Sequence, residues 1–141
     1  MPDKKLIYMA DQDGKHSQET KALLASRGFE VKCFTSGEAA MKASEDARPD
    51  LFITSLGLKG KMDGLQYVRA LKARESLKEI PIILLTSARR VMHMPFSFAP
   101  DPRWFPVFDV VEKPARPDYL FEVIDKALAC NALATSAKPA P

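Results

Sequence analysis

Five short apolar runs limit the folds open to this chain: "LIYMA" (6–10), "FEVKCF" (29–34), "DLFIT" (50–54), "IPIILLTS" (80–87) and "VFDVVEKP" (107–114). Each is too brief for a core helix, and longer stretches with helical spacing separate them. Parallel strands need a crossover of a dozen or more residues, usually a helix, so this alternation predicts an α/β fold with a parallel sheet and helices on both faces. The run "IPIILLTS" shows no polar alternation and reads as a strand buried on both sides. At 141 residues the chain has room for one domain with a real core. The expected domain covers 4–130, and residues 131–141 have too little to bury and are expected to be a disordered tail.

The helical stretches carry their own punctuation. Asp13 is a candidate N-cap, and "ETKALLASRG" places Ala22, Leu23 and Leu24 on one helical side before stopping at Gly28. "TSGEAAMKASEDA" opens either on a Thr35–Glu38 capping box or on Ser36 as N-cap, and ends before Pro49. From Gly64, the residues Leu65, Val68 and Leu71 keep helical spacing. Pro117 opens a last helix with Leu120, Val123, Ile124 and Leu128 inward. The segment between Ser87 and Val107 breaks the alternation. Pro95, Pro100, Pro102 and Pro106 allow at most its first turn or two to be helical, so the helix expected before the fifth strand is shortened or replaced by a Pro/aromatic loop. Two readings stand for Phe96, Phe98, Trp104 and Phe105: they cover the sheet where that helix would lie, or they protrude as docking anchors.

Composition excludes several function classes. The net charge of +3 is dispersed among acidic residues and forms no basic stripe, so nucleic acid is not an expected partner. The longest apolar stretch, Ile80–Ala88, falls far short of the roughly 20 residues of a membrane span. The first residues lack the apolar core of a signal peptide, and Cys33 and Cys130 are the only cysteines, which suits a reduced, cytoplasmic chain. His16, His93 and the cysteines show no ligand-like spacing, so no metal centre is expected. After the first strand "DQDGKHSQ" is acidic and has no glycine-rich phosphate loop, which argues against a nucleotide- or flavin-binding domain.

The segments "RGFEVKCFTSGEAAMKA", "RPDLFIT…MDGLQYVRAL", "IPIILLTSA" and "VVEKPARPDYLFEVI" together resemble the receiver domain of two-component response regulators, from about Lys4 to Leu128. The resemblance implies a flavodoxin-like (βα)5 fold with five parallel strands in the order 2-1-3-4-5. It also implies a phosphotransfer pocket. In the family an aspartate ending the third strand accepts the phosphoryl group, and two acids after the first strand help hold Mg²⁺. A Thr or Ser ends the fourth strand, a Lys-Pro pair follows the fifth, and an aromatic switch residue stands three positions before the lysine. On this chain the phosphoacceptor position is Ser55, and the acidic pair is Asp11 with Gln12, or Ala10 with Asp11 in a register one residue earlier. Thr86, Lys113 and Pro114 match, while Val110 holds the switch position without a ring. Asp50 precedes the third strand and Asp63 belongs to the turn before the next helix, so neither replaces the missing acid.

These departures have chemical weight. A carboxylate is ionised at neutral pH, whereas a serine hydroxyl needs a base, and the pattern places neither His16 nor His93 at this pocket. With Ser55 and Gln12 both neutral, Mg²⁺ is not expected as a cofactor, because it is usually held through one or two carboxylates. Asp11 opposite Lys113 would close the pocket as a salt bridge, with Ser55 and Thr86 hydrogen-bonded alongside. The expectation is a non-enzymatic, degenerate receiver that acts by protein–protein interaction with a sensor kinase, a downstream signalling protein or a second copy of itself. The alternative is phosphorylation at a non-standard site, Ser55 or Asp11/Asp13, by a sensor or Ser/Thr kinase.

Overall fold

The computed structural model describes residues 5–86, 107–112 and 116–137. The strands are β1 (Leu6–Ala10), β2 (Glu30–Phe34), β3 (Leu51–Thr54), β4 (Ile82–Thr86) and β5 (Asp109–Glu112). The helices among the described residues are α1 (Gly14–Ala25), α2 (Gly37–Asp46), α3 (Gly64–Lys72) and α4 (Pro117–Ala137). The strands form one sheet in the order β2-β1-β3-β4-β5, and every neighbouring pair is parallel. The expected Pro/aromatic loop, with Phe96, Phe98, Trp104 and Phe105, lies outside the described residues, as does His93. Helix α4 runs on to Ala137, past the domain end expected at residue 130.

Each helix starts where a side chain satisfies its first backbone N–H groups. Asp13 accepts from the His16 N–H at 3.1 Å and opens α1. Ser36 accepts from Ala39 at 3.2 Å and is the cap of α2, which settles the Thr35 alternative. Asp63 and Gln66 form a reciprocal capping box at α3, at 2.8 and 3.0 Å. Helix α1 ends at Ala25, and Gly28, at φ 91°, turns the chain into β2.

Alternate strand residues feed two cores, one on each face of the sheet. Ile7, Met9, Leu51, Ile53, Ile83, Leu85 and Val111 pack with Leu24 of α1 and with Leu120, Val123 and Ile124 of α4. Tyr8, Ala10, Phe52, Ile82 and Leu84 pack on the other face with Met41, Tyr67, Val68 and Leu71. That second core is aromatic: Phe52 meets Tyr8 and Tyr67 nearly edge-on, at 6.1 and 6.2 Å between ring centres. The Tyr67 hydroxyl is buried there without a hydrogen-bond partner among the described residues, and burial raises its pKa.

Helix α1 differs from its sequence reading. Its buried residues are Ser17, Thr20 and Leu24, whereas Ala22 is exposed and Leu23 half-buried. The cap at Asp13 sets the helical phase, and positions 17, 20 and 24 then share one face. Two polar side chains, Ser17 and Thr20, are consequently buried on α1, which packs beside β2.

Candidate functional site at the carboxyl end of the sheet

In a parallel α/β sheet, ligands and chemistry gather beyond the carboxyl ends of the strands. The register brings those ends together here. Ala10 pairs with Thr54, Thr54 with Leu84, and Thr86 with Glu112, the residue before Lys113. Asp11 and Ser55, the next residues after β1 and β3, are therefore neighbours, joined by a Ser55 N–H to Ala10 carbonyl bond of 2.9 Å.

Asp11 is 5% exposed. Its Oδ1 accepts the backbone N–H of Asp13 at 3.0 Å, and its Oδ2 stands 3.5 Å from Nδ1 of His16. The histidine was not expected at this pocket; the structure puts it there. His16 sits in the first turn of α1, and the same Asp13 cap that starts the helix turns its ring back over the strand end. A histidine five residues after an acid is no motif on its own. Only the cap and the turn between them create the approach.

Ser55 is buried as well, 6% exposed, and its hydroxyl donates to the Gly57 carbonyl at 2.8 Å. That carbonyl also accepts the Gln12 N–H at 3.1 Å, and the Gln12 side chain lies directly over Gly57. One peptide oxygen thus ties the loop after β1 to the loop after β3. The expected pairing of Ser55 with Thr86 and the closed Asp11–Lys113 bridge involve side chains outside the described residues, as do Pro114 and the ring-less switch position Val110.

The loop after β3 is fixed from further sides. The Lys59 N–H donates to the Thr35 carbonyl at 2.8 Å, and the Lys61 N–H donates to the Glu38 carboxylate at 2.8 Å. That amide holds the Glu38 carboxyl below its ordinary pKa. Glu38 therefore reaches across to the β3 loop instead of back to Thr35. At the loop's far end Gly64 admits no side chain, because a Cβ there would collide with the Ser55 carbonyl oxygen and the Leu56 backbone. The acids nearest in sequence to Ser55 are both engaged: Asp50 with the Leu6 N–H at 2.8 Å, and Asp63 as the α3 cap.

Comparison with known proteins agrees with this architecture. Residues 7–125 match the family model of the response regulator receiver domain. The chain belongs to that family. It is a receiver domain of two-component signalling. It is 31% identical over 81 residues to the DNA-binding response regulator MtrA of Mycobacterium leprae and of Mycobacterium tuberculosis. The match covers 57% of this chain and 34% of those proteins, so the chain spans about a third of the length of the curated relatives it matches.

Among solved structures, a sensor protein from Polaromonas sp. JS666 superposes with a TM-score of 0.78 at 18% identity, covering 92% of this chain and 99% of that one. The chemotaxis response regulator CheY4 of Vibrio cholerae gives 0.73 at 20% identity, covering 89% and 99%. At such identities the likeness is one of fold.

The receiver family implies Mg²⁺, and the described residues do not fit it. Both Asp11 oxygens are met from within the chain, the Ser55 hydroxyl donates its proton to a carbonyl, and Gln12 offers no charge. Among the described residues no three His, Cys, Asp or Glu side chains converge to hold a metal ion. Nor is any helix among them long and apolar enough to cross a membrane.

Proposed function

We propose that this receiver works without phosphoryl transfer and is not an enzyme. On this reading it signals by docking to a protein, either a sensor kinase, a downstream signalling protein or a second copy of itself. The observation that carries the reading is the state of Ser55. The residue is buried and its hydroxyl is bonded to Gly57 of its own loop, at the strand end where the family keeps an ionised nucleophile. A serine must pass its proton to a base before it attacks, and this hydroxyl only donates a hydrogen bond to a peptide carbonyl, which is no base.

The same geometry weighs against phosphorylation by a Ser/Thr kinase, since a serine only 6% exposed, with its hydroxyl bonded to its own loop, does not reach a kinase cleft. Asp11 and Asp13 are engaged at the start of α1, in the turn and the cap. The relatives named as DNA-binding regulators match over only 34% of their length. The dispersed charge of this chain adds nothing that favours nucleic acid.

Incubation with acetyl phosphate and Mg²⁺, followed by intact-mass measurement, tests the proposal. Wild type stays unmodified. Ser55→Asp stays unmodified too, because its carboxylate cannot donate to Gly57 and the second family acid is still Gln12. A single phosphoryl adduct on wild type overturns the reading, and one on Ser55→Asp alone would show that the serine was the sole obstacle.

A further inference from the structure

We propose that the outer face of α4 is where two copies of this chain pair, antiparallel and about a twofold axis at the level of Ile124. The inference rests on the docking reading above and commits it to one occupant, a second copy of the chain. Tyr119, Glu122, Lys126 and Ala129 are all exposed, and the 3.6-residue repeat puts them on one side of the helix. Leu120, Val123, Ile124 and Ala127 face the other way, into the core. Among the described residues Tyr119 is the large apolar side chain left exposed, at 46%.

The spacing of these four residues is what a twofold contact requires. In such an interface residue i meets residue j of the partner, and j meets i. Glu122 and Lys126 stand two residues either side of position 124, and Tyr119 and Ala129 five residues either side. Antiparallel pairing centred there sets each Glu122 against the partner's Lys126 and each Tyr119 against the partner's Ala129. Opposite charges then meet twice, and a large ring meets a small side chain twice. Parallel pairing in the same register would set like charges together. Tyr119 and Ala129 lie about 7.5 Å along the axis from the centre, within reach of a partner helix that crosses at about 20°.

The other ion pairs of α4 tie it to its own chain. Arg116 meets Asp118 at 3.2 Å, and Arg27, in the turn after α1, meets Asp125 at 3.8 Å with its guanidinium 4.2 Å above the Phe121 ring. Glu122 and Lys126 instead pair with each other, at 3.1 Å within the helix. Both can therefore turn to a partner without opening a contact between α4 and another element. An exposed pair of this kind contributes little where it stands. One helix on one helix buries less than the ~1,200 Å² of a stable complex, so the dimer is weak and depends on concentration.

Sedimentation velocity of the full chain between ~10 and ~500 μM tests the proposal, and wild type moves toward the dimer coefficient across that range. Glu122→Lys and Lys126→Glu each weaken self-association about tenfold or more, because each sets like charges together at both ends of the contact. The equimolar mixture of these two variants is the decisive sample. Neither carries an opposite charge within its own pair, yet the mixture associates at least as tightly as wild type. Tyr119→Ala weakens pairing and leaves the urea midpoint unchanged. All three substitutions lie on the exposed face, and circular dichroism checks that each variant is folded. Wild type that stays monomeric at the highest concentration overturns the proposal, as does a mixture that stays monomeric. So does any of the three variants associating as wild type does. Acetyl phosphate labelling bears only on the reading of Ser55, so a chain that is monomeric and unlabelled sinks this pairing and leaves that reading standing.

Discussion

The ends of β1 and β3 lie side by side and have been treated differently. At the end of β1 the chain keeps an acid, Asp11, and surrounds it with a backbone N–H and an imidazole. At the end of β3 a serine turns its hydroxyl back onto its own loop, two residues on. The first residue organises its neighbours, because it orders the turn into α1. The second is held by them, through Gly57, Gln12 and the close approach of Gly64. The acid at the end of β1 thus has a structural task, and the neutral side chain at the end of β3 is bonded within its own loop.

That contrast predicts an order of mutational effects. The largest is at Gly64, where any side chain must push apart the α3 start and the Ser55 carbonyl. Gly64→Val should cost about 3 kcal/mol or more in urea unfolding. A tolerated valine would mean that the β3 loop is not fixed by backbone fit. Next comes Asp11→Ala, which strips a charged acceptor from the Asp13 N–H and should cost about 2 kcal/mol.

Ser55→Ala removes one neutral hydrogen bond, and Gly57 keeps its bond from Gln12, so the loss should be no more than about 1 kcal/mol. If Ser55→Ala costs as much as Asp11→Ala, the distinction between an organising and a held residue fails.

The smallest effect concerns pH and the outer tie of the β3 loop. The Lys61 N–H holds Glu38 below its ordinary pKa, so the native state takes up this proton less readily than the unfolded chain. The tie is complete above the usual glutamate value of about 4.3 and is lost as pH falls through the lower native value. The Lys61 amide resonance should therefore move in acid in wild type and stay put in Glu38→Gln. An identical pH response in both proteins would detach the loop from α2.

Much of this was legible in the sequence because it rests on local rules. Apolar runs of four to eight residues between helical patterns suffice to propose an α/β fold. Asp13 and Ser36 are recognisable cap candidates from the residues that follow them, although Thr35 and Ser36 could be separated only by seeing which oxygen meets Ala39, and Asp63, read only as part of the turn before α3, is shown as its cap by the structure. On α1 the inward reading holds for Leu24, which is buried, and for Leu23, which packs against the same core, but not for Ala22, which is exposed; the phase set by the cap also buries Ser17 and Thr20, which residue type did not announce.

The positions of Asp11 and Ser55 at neighbouring strand ends follow from spacing along the chain together with the family resemblance. What they do there does not. Periodicity reports which residues share a face, since it arises from the repeat of a single helix or strand. The approach of His16 to Asp11, the doubly bonded Gly57 carbonyl and the reach of Glu38 to Lys61 each join segments that periodicity treats separately. Distances of about 3 Å between such segments depend on how caps, loops and sheet register combine. The sequence determined that an acid follows β1 and a serine follows β3; the tertiary structure decided which groups each of them meets, because those partners come from separate segments of the chain.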